Sequence, residues 1–381
     1  MKKKVAVFFG GKSTEHDISI VTAISSVISP LELSQEYEVV PVYISKEGSW
    51  YSDEKLKDIS LYRGPELKNF LEKSKKINIL FDDGLTLIKS GIRKEKIHID
   101  IAFPAMHGTY GEDGSLMGLL RMANVPIVGC DMPASVIAMD KVLAKQAVMA
   151  KGIATPKYIS FSKTDFSEST LNNIKKELSL PLFVKPSHLG SSIGISKVTK
   201  FDDLKNSIEV ALHYDDKVLV EEGVEDLIEV TLPIMGNQKP VPSLLERPLV
   251  KDNDFFDFEK KYINEGGSKN GAKKGAQGYS ELPAKLEKNL YDKAVDTAIK
   301  SYKAIECQGI ARVDLLIDGN TKEIYFNELN PLPGDLYSHN WRANGVSKVQ
   351  LVERLINYAE ESFLQKNAIE NTFSTNYLKQ F

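Results

Sequence analysis

Two short apolar runs near the C-terminus constrain the fold of this 381-residue chain most strongly. Residues 311–318 and 324–330 are rich in β-branched and apolar side chains, as β-strands are. The Asp-Gly-Asn-Thr sequence at 318–321 between them is typical of a tight turn. The pattern therefore predicts an antiparallel β-hairpin.

The polar side chains of this hairpin fall on a common face. Period-two alternation places Arg312 with Asp314, and Glu328 with Asn330. If the turn spans 318–322, Arg312 lies opposite Glu328. Two carboxylates and an amide oxygen form a ligand set for Mg²⁺, and a guanidinium beside them can stabilise developing negative charge. A sheet with one solvent-facing polar side would show the same pattern, so other motifs must decide.

Length and composition narrow the classes of protein. At 381 residues, with 42% hydrophobic and 27% charged side chains, the chain predicts a globular protein of two or three domains. The net charge of -3 gives no basic excess for nucleic acid. Only Cys130 and Cys307 are present, which excludes a disulfide framework and suits a reducing compartment.

The N-terminal residues resemble a signal peptide only superficially. The apolar run 5–9 ends at two glycines and is followed at once by charged residues, so we interpret it as a first β-strand. No apolar run approaches the roughly 20 residues of a membrane helix. We therefore expect a cytoplasmic protein with no membrane partner.

Alternating strand and helix signals divide the chain into three predicted domains. Residues 1–125 open with a βαβ pattern and form a Rossmann-like domain, with a lysine-rich peripheral excursion at about 50–97. A small central domain covers 126–217, and a C-terminal domain covers 218–381. Within the latter, the glycine-rich stretch at about 263–280 predicts a loop.

Three further segments carry chemistry suited to a nucleotide. Residues 183–194 form a strand that ends in Lys185, followed by a loop of glycines and serines that can close over phosphates; a plain flexible turn is the alternative. Lys141 opens a helix and could reach the same phosphates, although such a lysine is usually solvated. The strand and connector 218–224 can offer backbone groups and carboxylates to an adenine and a ribose.

These motifs, in this order, resemble the ATP-grasp enzymes, and the first domain narrows the resemblance to the D-alanine:D-alanine ligase family. The resemblance implies an α/β fold, α+β in its ATP-grasp part, behind an N-terminal Rossmann-like domain. It covers nearly the whole chain. The motifs that carry it are Gly10 to Ser19, His107 to Gly118, Lys185 to Ser187 with Gly190 to Ser192, Asp257 to Tyr262, Arg312-x-Asp314 and Asn327 to Asn330.

The resemblance implies a role for individual residues. It gives Lys141, Lys185, Lys261 and Ser192 to the ATP phosphates, Glu221, Glu222, Val224 and Glu229 to the adenosine, and Asp314, Glu328 and Asn330 to two Mg²⁺ ions, with Mn²⁺ as an alternative. It makes Glu15, Ser191 and Tyr262 a hydrogen-bonded trio that joins the first substrate to a lid, and Arg312 and the Gly334 N–H the groups that face the oxyanion. It also implies a homodimer.

The implied reaction joins two amino acids. ATP phosphorylates the carboxylate of the first, and the amine of the second attacks the acyl phosphate. Because water would destroy that intermediate, we expect the segment at 263–280 to act as a lid. Tyr262, where members that make a D-lactate ester tend to carry histidine, favours an amine nucleophile.

The sequence departs from the family just after the predicted metal ligands. Where members usually continue Asn-Thr-x-Pro-Gly-x-Thr, this chain has Pro331 for the threonine and Asp335-Leu336 for the apolar-threonine pair. The family's Ser-His fits Ser338-His339 only with a one-residue shift. Asp335 near a carboxylate would repel it, so the second site could prefer an amine or another polar group.

Three functions are compatible with the sequence. The default is synthesis of D-alanyl-D-alanine for peptidoglycan from small-molecule amino acids. A related ligase that joins D-alanine or another amino acid to a different amine is the second, and Asp335 and Pro331 favour it. The third is a catalytically inactive nucleotide-binding regulator. The presence of Lys141, Lys185, Arg312 and the presumed metal ligands argues against it, because a protein without catalysis has no chemical need for them.

Overall fold

The computed structural model describes residues 2–82, 84–91, 95–249, 280–372 and 374–381. Its strands are β1 (Lys3–Gly10), β2 (Tyr37–Ile44), β3 (Trp50–Tyr51), β4 (Ile77–Phe81), β5 (Leu85–Lys89), β6 (Glu95–Ile99), β7 (Ile101–Pro104), β8 (Tyr158–Ser162), β9 (Leu182–Pro186), β10 (Ser196–Val198), β11 (Lys217–Glu222), β12 (Leu227–Met235), β13 (Val241–Pro242), β14 (Arg247–Pro248), β15 (Ser280–Glu281), β16 (Ile310–Asp318) and β17 (Ile324–Asn330). Its α-helices are α1 (His16–Thr22), α2 (Ser29–Glu32), α3 (Glu66–Lys73), α4 (Ser115–Met122), α5 (Met132–Met139), α6 (Lys141–Met149), α7 (Glu168–Glu177), α8 (Leu204–Tyr214), α9 (Lys288–Ala304), α10 (Ser338–Ala343) and α11 (Lys348–Asn367).

The N-terminal sheet has the strand order β3-β2-β1-β7, and β1 runs parallel to β2 and β7. Both faces of β1 are covered, so its residues 5–9 are an unbroken buried apolar run, as parallel strands require. A π-helical segment, Ala23–Ile28, joins α1 to α2. The predicted βαβ opening is confirmed.

Residues 50–97 contribute more than the predicted peripheral excursion. Strands β4, β5 and β6 pair in sequence order as an antiparallel sheet. Leu85 and Leu87 of this sheet are completely buried and pack into the same apolar cluster as Phe8. The high lysine content masked the alternating apolar positions that make this packing necessary.

The central sheet has the order β10-β9-β11-β8 and is entirely antiparallel. Helices α7 and α8 cover it through Leu171, Ile174, Leu204 and Ile208. Strand β11 lies between β9 and β8, so the predicted domain boundary at 217/218 falls at the start of a strand of this sheet.

The C-terminal sheet has the order β13-β12-β16-β17. Helices α5, α6 and α9 pack against one of its faces, which carries Val313, Leu315 and Phe326. The C-terminal residues Trp341 and Leu355 share a second apolar core with β1. The first and last parts of the chain are therefore packed together.

Candidate active site

The predicted hairpin is formed by β16 and β17, but its register differs from the prediction. Arg312 lies opposite Asn330, and Asp314 lies opposite Glu328; the predicted Arg312–Glu328 pair is wrong. The cause is a β-bulge, because the pairing shifts between Asp314 and Leu315 and leaves Asn327 as an extra residue in β17.

The bulge determines which way the carboxylates point. Phe326 and Leu329, three residues apart, are both buried, whereas Asn327, Glu328 and Asn330 are half-buried. If Asn327 were paired regularly like its neighbours, strict alternation would turn Glu328 inward with Phe326. The bulge therefore brings Glu328 and Asn330 to the same face as the opposing Arg312 and Asp314.

Asp314 is the centre of the polar contacts on this face. Arg312 donates to both of its carboxylate oxygens, from Nε at 2.8 Å and from Nη2 at 2.5 Å. The Thr231 hydroxyl donates to Oδ1 at 2.5 Å, and the Asn330 amide lies 3.3 Å from Oδ2. With Glu328 directly opposite, these oxygen donors fit a hard divalent cation such as Mg²⁺.

Two predicted phosphate-binding lysines, Lys141 and Lys185, contact strand β17 beside these carboxylates. Lys141 Nζ lies 3.5 Å from Glu328 Oε2 and donates to the Leu189 carbonyl at 2.6 Å. Lys185 Nζ donates to the Asn327 side-chain oxygen at 3.2 Å. The bulge residue thus connects the central sheet to the hairpin.

Glu221 is buried between two lysines. Lys185 Nζ lies 2.5 Å from Oε1, and Lys145 Nζ lies 2.9 Å from Oε2, although the angles of the second contact fall short of a hydrogen bond. Burial alone would raise the pKa of Glu221, but the two ammonium groups hold this pKa at about 2. Burial lowers the pKa of Lys145, whereas for Lys185 the effect of burial is outweighed by Glu221 and the pKa is raised.

Lys145 was missed by the sequence analysis. It lies four residues after Lys141 in α6, and this spacing places both side chains on the same face of the helix. The presence of a second lysine at that spacing was the sequence feature from which its place beside Lys141 could have been predicted.

The other predicted adenosine residues lie in different surroundings. Glu222 accepts a hydrogen bond from Ser179 N at 2.8 Å, and strand alternation turns it away from the face of Glu221. Val224 is half-buried in the connector before β12. Glu229 is exposed on β12, opposite Leu316, and its charge contributes to the raised pKa of Lys185.

The predicted phosphate loop reaches the first domain. Ser191 Oγ donates to Glu15 Oε1, and Glu15 immediately precedes α1. A Cβ added at Gly190 would lie 3.2 Å from Glu15 Oε2, so only a residue without a side chain permits this approach without displacement. Ser191 and Ser192 both have positive φ, 53° and 59°. Glu15 and Ser191 are thus brought together as predicted.

A charged network that the sequence analysis missed holds the start of this loop. His188 Nδ1 lies 2.9 Å from Asp215, and its Nε2 lies 3.3 Å from Asp140. Lys217 donates to Asp140 at 2.7 Å, and Asp140 caps the helix that Lys141 opens. Hydrogen bonds that His188 donates to the carboxylates of Asp140 and Asp215 raise the pKa of His188 to about 9.

The second family motif folds into a buried turn beside Glu15. Glu112 accepts a hydrogen bond from Gly108 N at 2.7 Å, and His107 Nε2 lies 2.9 Å from the Thr22 hydroxyl. Burial, with the charge of Glu15, raises the pKa of Glu112 to about 8. Burial also lowers the pKa of His107.

The loop after Asn330 is strained, and the first domain holds it. Asp335, Leu336 and Tyr337 all have φ near +50°, a conformation that costs on the order of 1 kcal/mol for each such residue. The Asp335 carboxylate is contacted by the Ser26 hydroxyl and by Lys348 Nζ at 3.1 Å. Because Lys348 compensates its charge, the predicted repulsion of a substrate carboxylate by Asp335 loses its basis.

Some of the predicted site residues lie in the described part of the chain and others lie outside it. Gly334 precedes the strained residues and is exposed, with open space around its Cα. Lys261, Tyr262 and residues 263–279 of the predicted lid lie outside the described residues. Within the described ranges, every helix is too short or too polar to cross a membrane.

Comparison with known proteins identifies the family. The family models described as D-ala D-ala ligase N-terminus and C-terminus match residues 4–130 and 147–357. The chain belongs to the D-alanine–D-alanine ligase family. Its members are ATP-dependent ligases, so the resemblance drawn from the motifs is confirmed.

Relatives in this family match over nearly their full length. A D-alanine–D-alanine ligase of Thermosipho africanus is 36% identical, with 98% of this chain and 97% of the relative covered. The corresponding protein of Oceanobacillus iheyensis is 35% identical, with 95% and 96% covered.

Solved structures of the family have the same fold. The D-alanine-D-alanine ligase of Coxiella burnetii matches with a TM-score of 0.80 at 27% identity, covering 96% of both chains. The VanG D-Ala:D-Ser ligase of Enterococcus faecalis matches with a TM-score of 0.77 at 30% identity, covering 94% of this chain and all of that one. The predicted α/β ATP-grasp architecture is confirmed.

Proposed function

We propose that this protein activates the carboxylate of one amino acid with ATP and joins it to the amine of a second, with D-alanyl-D-alanine for peptidoglycan as the default product. The observation that carries the proposal is the opposed pair Asp314 and Glu328, with Arg312 on one side and Lys141 and Lys185 on the other. This arrangement gathers the charges that phosphoryl transfer from ATP requires.

The central and C-terminal sheets would hold ATP between them. The ammonium groups of Lys141, Lys185 and Lys261, with the Ser192 hydroxyl, would neutralise and orient the phosphates. Glu221, kept ionised by its two lysines, would accept from the exocyclic amine of adenine. Val224 and Glu229 would contact the base and ribose. Glu222 accepts a hydrogen bond from Ser179 N on the opposite face of β11, so its side chain would not contact the adenosine directly.

The acidic face would hold Mg²⁺ through Asp314, Glu328 and Asn330, and we propose two ions. When bound, Mg²⁺ neutralises phosphate charge during transfer. Arg312 lies on the same face, so its guanidinium, with the Gly334 N–H, would stabilise the oxyanion formed when the amine adds to the acyl phosphate.

Glu15 would bind the ammonium group of the first amino acid. Its contact with Ser191 joins the first domain to the phosphate loop, and Tyr262 would complete the trio from the lid. These contacts would exclude water from the acyl phosphate while the second substrate enters. Three domains, with strand β11 included in the central one, and a homodimer complete the proposal.

The second substrate is the open part of the proposal. The relatives named above include a D-Ala:D-Ser ligase, so acceptors other than D-alanine occur in this family. A different amine acceptor is the alternative, and the departure from the family pattern at Pro331 favours it. A nucleotide-binding regulator without catalysis is the second alternative.

Phosphate release and product mass together test the proposal. We expect Mg²⁺-dependent phosphate release from ATP with D-alanine and an acceptor, and the product mass identifies that acceptor. Asp314→Ala and Glu328→Ala should each abolish release while cooperative unfolding is retained. No release with any pair of amino acids or amines would favour the regulator instead.

A further inference from the structure

Four polar side chains form a row across the C-terminal sheet. Glu246 pairs with Thr231 through two backbone hydrogen bonds of 2.8 and 2.9 Å, Thr231 lies opposite Asp314, and Asp314 lies opposite Glu328. Directly opposed residues of antiparallel strands share a face. Glu246 therefore lies on the face of the proposed metal ligands, two strands away from Asp314.

A histidine caps the Glu246 end of this row. His339 Nε2 lies 2.8 Å from Glu246 Oε2, and Asn340 donates to the same oxygen at 3.1 Å. The Asn340 side chain also bonds both backbone groups of Leu244, which fixes the segment that carries Glu246. Glu246 is completely buried, whereas the His339 side chain is 36% exposed.

The hydrogen bond to Glu246 defines the tautomer of His339. Burial would raise the pKa of Glu246, but hydrogen bonding to His339 and Asn340 lowers it, so the carboxylate is ionised. An ionised carboxylate only accepts hydrogen bonds. Nε2 of His339 therefore donates, so in the neutral imidazole it is Nδ1 that carries the lone pair.

The position of His339 relates it to the reacting groups. Its ring centroid lies 4.6 Å from that of Tyr337, and the Arg312 guanidinium carbon lies 5.4 Å from the centroid of Tyr337. His339 is thus one ring away from the cation proposed to face the oxyanion. It lies on the side opposite Lys141 and Lys185, since these contact β17.

We propose that His339, oriented by Glu246, is the base that deprotonates the ammonium group of the second amino acid. This inference rests on the proposed function. Nδ1 takes one proton from the ammonium, and the free amine adds to the carbonyl carbon of the acyl phosphate. The C–O bond to phosphate then breaks, inorganic phosphate leaves with the electron pair, and the amide nitrogen loses its remaining extra proton to phosphate. His339 returns its proton to solvent.

Hydroxylamine provides a direct test, because it is largely unprotonated at neutral pH and needs no base. With D-alanine and Mg-ATP, we expect wild type to form the hydroxamate from hydroxylamine and the dipeptide from an amino-acid acceptor. His339→Gln should retain hydroxamate formation within about twofold but lose on the order of 10²-fold in kcat for ligation. Glu246→Gln should change in the same direction.

His213→Gln is the matched control, because His213 is exposed on α8 in the central part of the chain. It should leave both rates unchanged. Equal ligation rates in wild type and His339→Gln would overturn the role of His339, as would an equal loss of hydroxamate and dipeptide, which indicates a structural defect. His339→Asn repeats the test if the glutamine variant unfolds. No hydroxamate from wild type with any amino acid would instead contradict the proposed function.

Discussion

Buried charges in this protein are held in pairs and triads. Glu221 and Lys145 are both at most 2% exposed as side chains, and Lys185 completes the cluster. An ion that loses its partner in such a place keeps its desolvation cost without the compensating attraction. Stability and nucleotide binding should therefore change together when this cluster is altered.

Lys145→Met tests this coupling. We expect the free energy of unfolding to fall by about 3 kcal/mol, because Glu221 keeps only one of its two cations. Urea denaturation measures the loss, and ATP titration should show weaker binding in the same variant. Lys151→Met, at an exposed position just beyond α6, is the control; equal stability of the two variants would refute the argument.

His188→Gln tests the charged network at the phosphate loop. The pKa of His188 is raised to about 9 from an ordinary value of 6.5. The folded protein therefore binds the proton more tightly than the unfolded chain does. This stabilisation is complete below pH 6.5 and is lost as the pH rises to about 9. Melting temperatures across this range should fall more steeply for wild type than for His188→Gln; parallel curves would exclude the role.

At the scale of elements, the β-bulge at Asn327 accommodates one extra residue without turning the acidic face over. Deletion of Asn327 should leave a regular strand in which Phe326 still faces the core and Glu328 still lies opposite Asp314. Mg²⁺-dependent ATP binding should therefore be retained, because strict alternation without Asn327 keeps Glu328 on the face of Asp314. Calorimetric titration measures the affinity. Asn327→Ala, which keeps the bulge, is the control; loss of binding in the deletion variant alone would contradict the bulge argument.

The hairpin shows what sequence could and could not predict. Alternation correctly placed Arg312 with Asp314 and Glu328 with Asn330, because each pair lies within one regular strand segment. The register between the strands depends on one unpaired residue, and period-two analysis assumes that none exists. The buried positions Phe326 and Leu329, three apart instead of two, were the visible sign of the phase change.

At the scale of the whole molecule, hydrogen bonds join segments that lie far apart in the sequence. The Ser191–Glu15 contact joins residues 176 positions apart, and the Asp335–Ser26 contact joins residues 309 apart. Motif order predicted the first contact through family resemblance. Nothing in the sequence predicted the second, or the core that β1 shares with Leu355, because such contacts depend on packing between separate parts of the chain.

Ser191→Ala tests the contact between the phosphate loop and the first domain. Loss of the hydroxyl removes its hydrogen bond to Glu15, so we expect a higher KM for the first amino acid or a lower kcat, with ATP affinity unchanged. Steady-state kinetics and ATP titration separate these effects. Ser90→Ala, on an exposed site in the first domain, should behave as wild type. Unchanged kinetics in Ser191→Ala would dismiss the role.

The row from Glu246 to Glu328 also fixes the distance between Glu246 and the proposed metal ligands across the sheet. Three of its residues lie on neighbouring strands, and Glu246 bridges to the first of these; at about 4.8 Å for each step, the row spans roughly 14 Å. Backbone hydrogen bonding fixes that distance, and no side-chain substitution can stretch it. Substitutions in the loop 331–339 can therefore alter which chemical group is bound, but the spacing between Glu246 and the proposed metal ligands is set by the sheet.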